Sequence, residues 1–265
     1  MIIELCRQEG VKLFANRYPY LLLGIVLLGQ AVYTALKALK EPATTLDVLT
    51  APQLWGDGMG VALRLGLFVI LVLGAMGFSQ EFAQGTVKTM LVLPVRRGEW
   101  VAAKLLALVL LAWALLAACV LLGALVVAVA LGWGDVSRGG VTLYQAGQVW
   151  AQVAAATGLT ALLLLPLCAF ALFVSAFFSS SGAAVGVALV LAIVLEFGLG
   201  LLDESARFVF LHHLSVPFGQ IVKMGKGLPF EWDETLAWGL PVAAVTFCGF
   251  AGALVFRMER MDITD

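Results

Sequence analysis

The chain has 265 residues, of which 62% are hydrophobic and only 12% charged, with a formal net charge of −1. A soluble globular domain carries about 25% charge, so an ordinary soluble fold is excluded, and a nearly neutral chain offers no basic field for nucleic acid. At roughly 20 residues per bilayer crossing, this length holds about six spans with their loops and no additional soluble enzyme domain.

In residues 1–18, Ile3, Cys6, Leu13 and Phe14 can share one helical face, with Glu4, Arg7, Gln8, Glu9 and Lys12 largely opposite. That pattern predicts a helix lying in the headgroup layer. The apolar run behind it is too long for a cleaved leader and reads as a retained span over 19–38, with Tyr18, Tyr20 and Tyr33 as interfacial anchors. The segment up to about residue 58, containing Pro42, Pro52, Trp55 and Asp57, reads as a polar loop. A second span is predicted over 60–78 and a third over 101–133. The glycines of 132–147 then predict a turn-rich loop.

No charge occurs from Gly139 to Leu195, an interval too long for one span. The break falls at Ser179-Ser180-Ser181-Gly182, which predicts spans over 150–177 and 183–202. Gly182 and Gly186 form a small-xxx-small pair that permits close helix approach. Residues 203–238 alternate apolar stretches with Pro217-Phe218-Gly219. Irregular backbone of that kind is tolerated at membrane depth only when it is buried in protein or lines a cavity. The last span covers 239–256 and is closed by Arg257 and Arg260. The fold class expected is an all-α membrane protein with six transmembrane helices, forming one permease-sized domain over 1–265.

Charge is concentrated between spans two and three, where Glu81, Lys88, Arg96, Arg97, Glu99 and Lys104 lie between two uncharged apolar intervals. Gly85-Thr86 can start a short helix, Val87, Met90, Leu91 and Leu93 give it an apolar side, and Pro94 ends it. A short helix held between two spans is a lever. Pushing on it moves both.

The ordered residues Glu81, Gly85-Thr86, Leu91, Pro94-Val95, Arg96-Arg97, Glu99 and Lys104 resemble the corresponding run of type-2 ATP-binding-cassette (ABC) exporter permeases. The segment Phe256–Ile263 resembles that family's closing F-R-R-x-D-I run. Val95-Arg96 departs from the Val-Ser of many members. The resemblance implies a cytoplasmic coupling helix that docks on an ATPase subunit. Its docking and coupling residues are Glu81, Gly85, Thr86, Lys88, Pro94, Arg96, Arg97, Glu99 and Lys104. It further implies an N-terminal interfacial helix, a re-entrant hairpin between spans five and six, and a role in export. The implied partners are two copies of a cytoplasmic ABC ATPase, a second permease subunit (identical or not), and membrane lipid. The implied location is the bacterial cytoplasmic membrane, with both termini in the cytoplasm. Counting basic residues on the two sides of such a topology favours the same orientation.

No GxxxxGK[ST] phosphate-binding loop exists, since Gly225-Lys226-Gly227 lacks both the spacing and the hydroxyl residue. ATP and Mg are therefore expected on the partner chain, with no cofactor, metal or catalytic residue on this one. Two ionisable residues fall inside spans, Arg64 and Glu196. A charge at mid-span costs about 3 kcal/mol, so the pair is expected to join, to line the outer end of the substrate path, or to snorkel to the interface. His212-His213 read as interfacial polar residues ahead of metal ligands or a pH sensor, because no third ligand is close in sequence. Trp55, Trp133, Trp150, Trp232 and Trp238 read as an aromatic belt, and the four dispersed cysteines as packing residues. Readings from other classes are a non-transporting membrane scaffold or sensor coupled to an ATPase, and an ion-driven secondary carrier. The carrier reading would rest on Glu196 and Pro166 alone. An intramembrane protease lacks its HExxH motif or paired aspartates.

Overall fold

Apolar segments that cannot hydrogen-bond to lipid must satisfy their backbone within the segment, and this chain does so almost wholly as helices. The computed structural model describes residues 2–15, 17–40, 49–86, 96–138, 141–199 and 203–260. In order they form α1 (Ile2–Ala15), α2 (Tyr18–Lys40), α3 (Ala51–Ala83), α4 (Arg97–Ala130), β1 (Val136–Arg138), β2 (Val141–Tyr144), α5 (Ala146–Leu163), α6 (Leu165–Ser175) and α7 (Ser181–Leu199). A 3₁₀ turn (Asp203–Phe208), α8 (Phe210–Leu214), α9 (Val216–Gly225), a π turn (Thr235–Gly239) and α10 (Leu240–Glu259) complete the order. Among the described residues, six helical stretches are long and apolar enough to cross a membrane: α2, α3, α4, the pair α5–α6, α7, and the π turn with α10. The chain is a multi-pass membrane protein.

The hub is α3, which packs against α2, α4, α6, α7 and α9. Its spanning window is 56% buried, against 17% for α2, α7 and α10, so those three form the perimeter. Two features correct the sequence expectation for this region. Residues 51–58, assigned to a loop, are the first turns of α3, which has Pro52 in its opening turn, where a missing N–H costs nothing. Trp55, assigned to an aromatic belt, is fully buried, edge-on to Phe218 at 5.4 Å. Its surroundings are apolar because α9 folds back over the start of α3. A Cβ on Gly225 would lie 2.5 Å from the Gln53 backbone nitrogen, so only glycine lets α9 come this close.

Polar ties lock the perimeter to the hub. The amide of Gln30, fully buried in α2, donates to Cys119 O at 2.9 Å in α4. Lys37 pairs with Asp57 at 2.7 Å, joining α2 to α3. The helical path α5–α6 is interrupted at Leu164, just before Pro166. The loop expected over 132–147 contains an antiparallel hairpin, β1–β2, because Val136, Val141, Thr142 and Tyr144 favour extended backbone. In α7 the buried small residues are Ala184, Ala188 and Ala192. Gly186 of the expected glycine pair has open space beside it.

Candidate functional site

The end of α3 that carries Glu81 is where the chain gathers its charges. The helix closes with a glycine in the left-handed region, Gly85 at φ 68°. Gly85 N donates to Phe82 O at 3.2 Å and Thr86 N to Glu81 O at 3.1 Å. Those two reverse bonds are a Schellman closure, which satisfies carbonyls that a helix end otherwise leaves bare. Gly85 and Thr86 thus terminate α3. The short helix expected after them, with Lys88 and Pro94, lies outside the described residues.

Beside this closure Lys104, in the second turn of α4, reaches back to α3. It is 5% exposed, and its Nζ donates to Glu81 Oε1 at 2.9 Å, to Glu9 Oε2 at 2.9 Å and to Gly77 O at 3.1 Å. The rings of Phe78 and Trp100 lie 5.3 and 5.7 Å from the same ammonium. Lys12 completes the network, 2.9 Å from Glu9 Oε1 and 3.1 Å from Glu81 Oε1. Two ammonium groups thus alternate with two carboxylates across α1, α3 and α4, and the cluster is neutral. Its members reinforce each other in a region where a lone charge would be expelled.

The ionisation of the α1 members follows from this geometry. Burial alone would raise the Glu9 carboxyl. The charge of Lys104 and the hydrogen bonds from Lys104 and Lys12 outweigh it and hold the group below the ordinary carboxylate value. For Lys12, burial acts downward. The hydrogen bond to Glu9 and the charge of Glu81 prevail and hold the ammonium above its ordinary value.

Other braces converge here. Arg97 Nη1 donates to Met258 O at 2.9 Å and Glu259 O at 3.0 Å, the last carbonyls of α10. A cation there complements both the orphan acceptors and the helix dipole. Ser175, ending α6, accepts from the N–H groups of Phe78 (2.8 Å) and Ser79 (3.0 Å). Arg96 is exposed at the N-cap of α4. Glu99 sits in the first turn of that helix, and its Oε2 is buried without a hydrogen-bond partner.

Of the residues singled out in the sequence, Glu81 and Lys104 are therefore brought together and turned inward. Arg97 is bonded to the end of α10, and Arg96 faces out. Glu9, Lys12, Phe78, Trp100 and Ser175 were not foreseen. The polar face of α1 was visible as a pattern, but nothing in its spacing says that residues some 70 to 95 positions later cover it.

At the opposite end, Arg64 and Glu196 line one cavity of 140 Å³ together with His212 and Ser215, and no ion pair joins them. His212 Nε2 lies 4.0 Å from Glu234. His213 is fully buried, with its Nε2 2.7 Å from Arg207 O. A family model described as a protein of unknown function (DUF2705) matches residues 56–264. No curated protein matches the chain.

Proposed function

The chain belongs to the DUF2705 family, and on that premise we propose that it is the membrane-spanning permease subunit of an ABC transporter, built to take up movement from a separate ATPase chain. The observation that carries this reading is the Glu9–Lys12–Glu81–Lys104 network, buried at all but Lys12. It fastens both flanks of residues 87–95 to α1, while Arg97 fastens the second flank to α10. A loop joining two spans needs no such fastening merely to connect them. A loop that transmits force does, because slack at either flank would dissipate the displacement. The resemblance of the Glu81–Lys104 run to coupling segments supplies the direction of the force.

In this reading the Glu81 end faces the cytoplasm, α1 lies along the inner headgroups, and α8–α9 form the outer re-entrant segment. The segment 87–95 with Arg96 contacts the ATPase. Two such subunits, identical or not, enclose the pathway, and two ATPase chains bind below with ATP and Mg. Closure of the ATPase dimer pushes the lever, and a bundle with two packings changes the side to which it opens. Export is the direction that the resemblance suggests.

Reconstitution in lipid with the candidate ATPase chain tests this reading. The ATPase rate should rise in the presence of the permease, and Arg96→Glu should reduce that rise while leaving the chain folded. A chain that in lipid neither retains a nucleotide-hydrolysing protein nor alters its rate would overturn the reading.

A further inference from the structure

Between Ala51 and Phe82, α3 exposes a single residue, and it is Arg64. From Arg64 to Glu81 the helix climbs roughly 25 Å, and from Ser181 to Glu196 α7 climbs roughly 22 Å. Against a hydrocarbon core of about 30 Å, both side chains stand short of the boundary opposite the Glu81 end. On α7 the buried positions Ala184, Ala188 and Ala192 recur at every fourth residue, and Glu196 is the next position in that series. The small residues let α7 pack along α3. Where the series reaches Glu196, a cavity takes the place of contact.

That cavity, 140 Å³, is lined by Arg64 from α3, Glu196 from α7 and the polar side chains of His212 and Ser215, while Leu63, Leu67, Leu211 and Leu214 supply its apolar lining. Arg64 and Glu196 form no ion pair with each other, and both are exposed. Opposite charges fixed on separate helices, facing one opening with an apolar rim, match a ligand that carries both charges and an apolar stem. A planar guanidinium suits a phosphate or carboxylate through paired hydrogen bonds, and a carboxylate suits an ammonium.

We propose that this cavity is a binding site for a zwitterionic phospholipid headgroup, with Arg64 holding the phosphate, Glu196 holding the ammonium, and the leucines receiving the start of the acyl chains. The site does not depend on the transport reading, because its occupancy is measured on the isolated chain and ATPase coupling is not.

The test is lipid retention by the full chain in mild detergent, read by native mass spectrometry, with phosphatidylethanolamine and phosphatidylglycerol of identical acyl chains as probes. Wild type should retain phosphatidylethanolamine roughly tenfold more strongly, the weight of one charge-assisted hydrogen bond. Glu196→Gln should abolish that preference by lowering phosphatidylethanolamine retention alone, and Arg64→Gln should lower retention of both lipids. Equal retention of the two lipids by wild type overturns the proposal without recourse to any variant. Displacement of the lipid by inorganic phosphate alone would reduce the site to an anion site and overturn it as well. A dimer whose formation buries Arg64 and Glu196 and excludes lipid would do the same.

Discussion

Lys104 has three oxygen acceptors and two aromatic rings around one ammonium, which makes it the side chain whose loss the protein can least absorb. Lys104→Met would leave the buried carboxylates of Glu9 and Glu81 with only the half-exposed Lys12 to balance them. Breaking a buried ion network from one side costs about 3 to 5 kcal/mol, and a fall of that order is expected in thermal or denaturant unfolding in detergent. Neutralising all three, with Glu9→Gln and Glu81→Gln added, should recover part of the loss, because the uncompensated carboxylates are then gone. The pH dependence has a definite sign. The Glu9 pKa is depressed in the folded chain, so its contribution is complete above the ordinary carboxylate value of 4.5 and fades as pH falls below it. Lys12 is shifted upward, so its share persists through neutral pH and is lost only above the ordinary lysine value of 10.5. Melting temperature followed from pH 7 down through 4 should therefore drop, and Glu9→Gln should flatten that drop.

At the scale of elements, the sequence foretold the number of helices better than their jobs. Gly85 and Thr86 were read as the start of a helix; they close α3, and the helix expected after them lies outside the described residues. Glycine favours both situations, and the bonds from Gly85 N and Thr86 N back to α3 show the closure, which the sequence did not. Gly85→Val should cost about 1–2 kcal/mol through its left-handed backbone, and limited proteolysis should show faster cutting between Gln84 and Arg96. Pro52 was placed in the polar loop, although proline is equally at home in the first turn of a helix. The contact of α9 with α3 depends on Gly225 meeting the backbone of Gln53. Gly225→Leu should push α9 away, uncover Trp55 and red-shift its fluorescence, a change absent from Gly219→Leu, where a side chain meets open space.

For the whole molecule, both described chain ends come to the Glu81 end, since Glu9 reaches Lys104 and Arg97 reaches the last carbonyls of α10. Six crossings require that outcome. If that end is cytoplasmic, a cysteine replacing Arg96 in a cysteine-free chain should resist an impermeant thiol reagent in intact cells and react after the membrane is opened. Labelling in intact cells would reverse the proposed orientation and remove the ATPase from reach.

Composition and the spacing of apolar runs determined by themselves that this is a membrane chain with six span-length apolar stretches, and they singled out the charged junction between the second and third. Lipid tolerates few polar residues, so the long apolar runs are legible in one dimension, although the start of α3 was not. Arg64 and Glu196 were conspicuous for the same reason, but whether they pair or line a cavity depends on how closely α7 follows α3. Which charges neutralise which was decided only by tertiary packing. A lysine can meet any carboxylate that folding brings within 3 Å, and no local period records that Glu9 will be the one.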